Sequence, residues 1–238
     1  MNTKLIIVDG PSSVGKSSIS KSVYKQISLD QAAYWLHEEC ENHPIRFNEF
    51  SFGALDTAEG MELNRIGMLK KWMAFRDSII SSGKVCVTEG CLLHAYDRYF
   101  IHSLWNEDDI LTYYAQVLEV IGELNPLIVF LYRPDLRKSL EKAFIARGQW
   151  WRDLILRRDD LHVYFKQHVY VNEDSMFDAV AFEQRKMLEI FDRLQCSKIK
   201  IDTSEEQWEQ YVQDITSSLD SKYHNIEPPA CDMQPYLG

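Results

Sequence analysis

The 238-residue sequence contains no Cys-x-x-Cys pair. Its five cysteines (Cys40, Cys86, Cys91, Cys196 and Cys231) are odd in number and scattered, which argues against a disulfide framework and a structural zinc site. Long apolar runs are missing too. The opening MNTKLIIVDG has a short apolar run, Leu5 to Val8, too brief for a secretory leader, and no stretch approaches the roughly 18 apolar residues that suggest a membrane span. Positive charge is scarce: 26 Lys and Arg face 36 Asp and Glu, a formal net charge of −10. That balance disfavours a nucleic-acid polymer or an anionic membrane surface as partner. It leaves room for a small phosphorylated ligand, because a local cluster of amides, Lys and Arg can hold one inside an acidic protein. The expectation is a soluble, cytoplasmic protein acting on small molecules, its oligomeric state open and a homodimer included.

What is present is alternation. Leu5-Ile6-Ile7-Val8 is a continuous apolar run stopped by Asp9-Gly10, as expected of a strand buried on both faces. Val85 to Val87 and Leu127 to Tyr132 read the same way. Lys198 to Asp202 alternates more and suits an edge strand, while Ala32 to Leu36 is a weaker strand candidate. Helical periodicity covers about Glu59–Ile80, Asp108–Glu123, Pro134–Ala146, Met176–Leu194 and Glu205–Leu219. In the first of these Leu69, Trp72, Met73, Ile79 and Ile80 would share a face, with Gly83 as the stop. Pro134 suits a first helical position, and Asp202-Thr203-Ser204 offers an N-cap with Glu205-Glu206 in the first turn. Strands alternating with helices imply right-handed crossovers and a parallel sheet covered on both faces. The expected fold is therefore α/β, a three-layer arrangement with about five parallel strands flanked by helices. Helical insertions in the long gaps 38–83 and 134–197 would carry acceptor-side and lid elements. Residues 1–223 would form a single domain, with a lid near 147–175 and a loosely ordered tail from 224 to 238.

Gly10-Pro11-Ser12-Ser13-Val14-Gly15-Lys16-Ser17 matches G-x-x-x-x-G-K-[ST] without departure, with a strand pattern before it and a helix pattern after it. Glycines let the backbone curl around phosphate oxygens with N–H groups pointing inward, and the helix N-terminus adds partial positive charge. Gly10, Ser12, Ser13, Val14, Gly15, Lys16, Ser17 and Ser18 are thus the expected nucleotide-binding residues. Lys16 would lie on the β- and γ-phosphates, and the Ser17 hydroxyl would ligate Mg²⁺. Two absences then narrow the class. No Asn-Lys-x-Asp stretch supports a guanine-specific switch, and no apolar run ends in Asp-Glu as in motor ATPases.

Phosphoryl transfer needs an acid near the metal, and Glu89 ends the strand pattern Val85-Cys86-Val87-Thr88 where ligands bind in open α/β sheets. The acceptor hydroxyl needs orienting. Glu38 is the first candidate and Glu39 the second, in the run His37-Glu38-Glu39-Cys40-Glu41, which could equally be a solvated acidic face. His37 and His43 read as structural or exposed. Positive charge for the transferring group would come from Arg147 and Arg152, in Ala146-Arg147-Gly148-Gln149-Trp150-Trp151-Arg152, with Arg157-Arg158 beyond. Trp35, Trp72 and Trp150 could stack on a base or pack in the core. Arg65 and Arg76 could meet an acceptor phosphate or decorate a polar helix face.

In this order, these pieces resemble the P-loop nucleoside and nucleotide kinases, from Lys4 to about Leu219. Leu131-Tyr132-Arg133-Pro134 through Ala146-Arg147-Gly148 is similar to the strand–helix–lid passage of deoxynucleoside kinases. Glu89 followed by Asp97-Arg98-Tyr99 is similar to their acidic strand end, although Gly90 replaces the Arg that follows the acid there. Thymidylate kinases carry a comparable Asp-Arg-Tyr directly at the strand end, and Ile201-Asp202-Thr203-Ser204 resembles the turn bordering the adenine in this group. More distantly, the hydroxyl-rich loop resembles that of chloramphenicol phosphotransferase. The resemblance implies an ATP- and Mg²⁺-dependent kinase acting on a nucleoside- or nucleotide-like acceptor. An antibiotic O-phosphotransferase and a non-catalytic nucleotide-binding regulator are the alternatives.

Overall fold

In the computed structural model, residues 2–45, 57–94, 106–156 and 173–220 are described. Five strands, β1 (Leu5–Asp9), β2 (Ala33–Leu36), β3 (Val85–Glu89), β4 (Leu127–Tyr132) and β5 (Ser197–Asp202), form an all-parallel sheet in the order β2-β3-β1-β4-β5. β1, at the centre of the sheet, is buried along its whole length, and the alternating β5 lies at an edge as its pattern implies.

Side chains of successive β1 residues point to opposite faces. Leu5 and Ile7 enter one core with Trp72, Phe75, Tyr113, Tyr114 and Phe191; Ile6 and Val8 enter the other with Ile19, Val23, Leu140 and Ile215. The first layer is built from α2 (Ala58–Ser82), α3 (Glu107–Ile121) and the C-terminal half of α6 (Glu173–Arg193). The second comes from α1 (Lys16–Ile27), α4 (Leu136–Arg147), α5 (Gln149–Leu156), the N-terminal part of α6 and α7 (Trp208–Asp220).

Three expectations need correction. On α2 the inward face is Met61, Met68, Trp72, Phe75 and Ile79, whereas Met73 and Ile80 are exposed. Pro134 lies outside α4, whose N-cap is Asp135, its carboxylate accepting from the Lys138 N–H. Glu205 and Glu206 are not in the first turn of α7. Ser204 instead donates to Asp202 from both its backbone N–H and its hydroxyl, forming a local turn, and Glu206 adopts φ +53° before the helix begins at Trp208. The expected lid lies largely outside the described residues, as does the tail; of the lid, α5 is described. Among the described residues no helix is long and apolar enough to cross a membrane.

Candidate active site

Because all five strands run the same way, the loops following them converge at their carboxyl ends. A cleft of ≈ 530 Å³ opens there. It is lined by the loop after β1, by Glu38 and Glu39 after β2, His94 after β3, Arg133 after β4 and Glu206 after β5, with one face of α4 and Trp151 completing it. Ser12, Ser13, Gly15, Lys16, Ser17 and Ser18 line its floor. Val14 instead turns its side chain into the core and offers its carbonyl to the Thr203 hydroxyl at 3.1 Å. Gly15 has φ +98°, and a Cβ there would sit 2.7 Å from the Trp208 ring, so α7 presses directly on the loop. Lys16 is nearly buried and donates to the Pro11 carbonyl at 3.0 Å. The Ser13 hydroxyl, in a left-handed residue of the loop, is buried with no hydrogen-bond partner. A buried hydroxyl without a partner carries a desolvation cost that a bound anion would remove.

Asp9, just before the loop, holds the two halves of the site together. Its carboxylate accepts from the backbone N–H groups of Gly10, Leu92, Leu93 and His94, all at 2.8–2.9 Å. The end of β1 is thereby clamped to the turn after β3. Burial pushes the Asp9 carboxyl up, while Lys16 and the N–H donors pull it back. Four donors facing two oxygens call for the ionised form.

The acidic side is built on β2 and β3. Glu89 is fully buried; Ser20 donates to its Oε2 at 3.3 Å, and Ser17 also hydrogen-bonds it. His37 Nε2 lies 3.1 Å from Glu89 Oε1, and the Glu39 N–H donates to His37 Nδ1, which leaves the imidazole proton on the nitrogen facing Glu89. Burial and the neighbouring Glu38 raise the Glu89 carboxyl above its ordinary value, with His37 opposing. A hydroxyl touching a carboxylate is a donor set that fits Mg²⁺, which takes one or two protein oxygens and completes its shell from water and phosphate. Among the described residues no three His, Cys, Asp or Glu side chains cluster as a metal cage. Glu38 Oε2 is buried without a hydrogen-bond partner, 4.0 Å from His94 Nε2. Gly90, at φ +60°, makes room for it: a Cβ there would lie 1.9 Å from Glu38 Oε2. Glycine at this position is thus a steric requirement of the neighbouring carboxylate. Glu39 is exposed.

The cationic side is built on β4, α4 and the loop after β5. Arg147 lines the cleft with its guanidinium 4.8 Å from the Trp151 ring centre, while Arg152 lies over Phe144 and does not line it. Arg157 and Arg158 are outside the described residues. Arg133 and Lys142 are functional-site residues that the sequence pattern does not single out. Arg133 is nearly buried and donates to Thr203 Oγ1 and Glu206 Oε1, both at 3.1 Å; Lys142 donates to the same Glu206 oxygen at 2.9 Å. These two cations hold the Glu206 carboxyl below its ordinary value, Lys142 first. The tryptophans divide. Trp72 is core, Trp150 is exposed, and Trp35 donates to Ser20 Oγ, supporting the hydroxyl that reaches Glu89. Arg65 pairs with Glu62 and Gln116, and Arg76 with Asp77 and the Val120 carbonyl, both away from this cleft.

No protein-family model and no curated protein matches the sequence. Solved structures do resemble the fold. YorR protein from Bacillus subtilis, described in complex with phosphorylated GDP, superposes with a TM-score of 0.53 at 12% identity, over 94% of this chain and 99% of that one. A Janibacter sugar kinase reaches 0.47 at 15% identity, over 92% and 95%; shikimate kinase from Acinetobacter baumannii reaches 0.43 at 14%, over 93% and 96%. At these identities the likeness is one of architecture alone: a five-stranded parallel sheet flanked by helices, with the glycine loop after its central strand.

Proposed function

We propose that the chain is a small-molecule kinase. It transfers the γ-phosphoryl group of a Mg²⁺-bound nucleoside triphosphate to a hydroxyl of a nucleoside- or nucleotide-like acceptor. One observation carries this most directly. The phosphate loop separates an acidic wall bearing Glu38 and Glu89 from a cationic wall bearing Arg133, Lys142 and Arg147. The metal, held by Ser17 and Glu89, would neutralise charge on the β- and γ-oxygens. Lys16 and the loop amides hold the phosphates in line with the acceptor. Glu38 Oε2, lacking a partner of its own, takes the hydroxyl proton as the new O–P bond forms and the bond to the β-phosphate oxygen breaks. Arg147, which lines the same cleft, would stabilise the transferring group's negative charge. Positioning and charge stabilisation supply most of the acceleration, with the base worth about 10²–10⁴.

The test is purified protein with γ-labelled ATP and GTP against nucleosides, nucleoside monophosphates, aminoglycosides and phenicols. Transfer to a nucleoside or nucleotide is expected, lost in Lys16→Ala and reduced at least about 100-fold in Glu38→Gln with nucleotide affinity kept. Label appearing on an antibiotic would move the acceptor class. Nucleotide binding without transfer to any acceptor would replace the kinase with a regulator.

A further inference from the structure

α2 carries apolar side chains on two faces, and the fold uses one of them. The inward face packs in the core with Leu5 and Ile7. On the outer side Leu63, Ile66, Met73 and Ile80 stand 38–47% exposed, four of the seven large hydrophobic residues left exposed among the described residues. Scattered singly, such residues need no explanation, but four at a regular period along one helix form a stripe. Together with Lys70 and Asp77 they are spaced 3, 4, 3, 4 and 3 residues apart, the seam of a coiled coil. Leu63, Lys70 and Asp77 take one core position of that heptad, and Ile66, Met73 and Ile80 take the other. A seam of this period is suited to pairing with another helix along its length.

We infer that two copies of the chain pair on this stripe, their α2 helices running antiparallel about a two-fold axis. The two charges in the seam select both the partner and the direction. A parallel pair would set Lys70 against the partner's Lys70 and Asp77 against the partner's Asp77, like charges at core positions. In the antiparallel register Leu63 meets the partner's Ile80, Ile66 the partner's Asp77, and Lys70 the partner's Met73. All four apolar side chains are then used. The partner's Asp77 lies about one helical turn from the partner's Met73, so the Lys70 stem covers that methionine while its ammonium reaches the carboxylate. The two-fold axis repeats every contact, giving two such ion pairs in one seam. Within the single chain Arg76 engages Asp77 through Oδ1, which leaves Oδ2 and 62% of the side chain exposed. α2 contributes none of the residues that line the cleft, so the inference does not depend on the proposed kinase activity.

The experiment is sedimentation equilibrium of the full chain across the micromolar range, at an ionic strength that screens the −10 charge of each copy. One helix pair is smaller than a standard interface, so reversible association with a micromolar dissociation constant is expected, approaching twice the mass of one chain. Met73→Glu should abolish it. Lys70→Asp should weaken it at least about tenfold, because acid then faces acid across the seam. Combining Lys70→Asp with Asp77→Lys should bring the affinity back to within about threefold of the wild type. Thermal melts check that each variant is folded. A wild-type chain that stays monomeric overturns the inference, whether another segment of the chain or a different protein covers the stripe. A dimer indifferent to Met73→Glu overturns it too, since the copies would then pair elsewhere. If the double exchange fails to recover what Lys70→Asp loses, the antiparallel arrangement is wrong. The wild-type mass needs no variant, so a misfolded substitution cannot spare the idea.

Discussion

Replacing Asp9 by Asn tests whether the site is assembled around that residue. The substitution is nearly isosteric, so no cavity opens, and the effect reduces to hydrogen bonds. Wild-type Asp9 satisfies four buried N–H groups, with Oδ1 receiving Gly10 and His94 and Oδ2 receiving Leu92 and Leu93. In Asn one acceptor becomes an NH₂ group. Whichever way the amide turns, two backbone donors then face a donor. Leaving a buried donor unsatisfied costs about 1–3 kcal/mol, so two cost about 2–4 kcal/mol after some relaxation. A domain of ordinary stability, about 5–15 kcal/mol, survives that loss. Urea unfolding followed by tryptophan fluorescence should therefore show a lower midpoint with an unchanged slope. Nucleotide affinity should fall as well, since Gly10 and the turn after Glu89 lose their common anchor. A stability change under about 0.5 kcal/mol, with nucleotide binding intact, would refute the clamp.

Two other substitutions separate function from stability. The Glu89 carboxyl is raised by burial and by Glu38, so its ionised form is costlier in the metal-free fold than in the unfolded chain. A carboxyl with a raised folded pKa contributes stability at low pH that is lost as the pH climbs past the ordinary carboxylate range towards the folded value. Glu89→Gln should stabilise the metal-free protein at pH 7 by roughly 1 kcal/mol, flatten its pH–stability profile above pH 4 and abolish turnover; a destabilised variant would show that the ionised pair with His37 dominates instead. Gly90→Ala should cost about 1–2 kcal/mol for its left-handed backbone and displace Glu38, so its kcat should fall as in Glu38→Gln. In the double variant the second change should add almost nothing, and full additivity would break the link between the two residues.

The sheet, the phosphate loop and Glu89 were legible because each follows from a local pattern: an apolar run, a glycine spacing, an acid at a strand's end. Glu38 was legible only as one of two neighbours. What favours it over Glu39 is Gly90, 52 positions away, because β2 and β3 pair side by side and bring their ends together. His37 was passed over because its partner, Glu89, is equally remote. Glu206 was misread for a different reason. Asp-Thr-Ser-Glu-Glu fits a helix start, but Thr203 is already committed to the Val14 carbonyl and to Arg133, and it cannot also cap α7. The helix then begins at Trp208, where the ring meets Gly15.

That delayed start has a chemical consequence. A Glu206 inside the first turn of α7 would be one more solvated acid at a helix N-terminus, worth a few tenths of a kcal/mol to about 1 kcal/mol. Released into the left-handed region, it carries a backbone strain of about 1–3 kcal/mol. Ion pairs at a carboxylate this exposed contribute about 0–1 kcal/mol each and offset only part of that. The remaining strain is retained where Lys142 and Arg133 hold the carboxylate at the cleft, whose lining includes an unsatisfied serine hydroxyl. Strain kept at a ligand-sized hollow, when a helical alternative is one turn away, points to a bound molecule that recovers the difference.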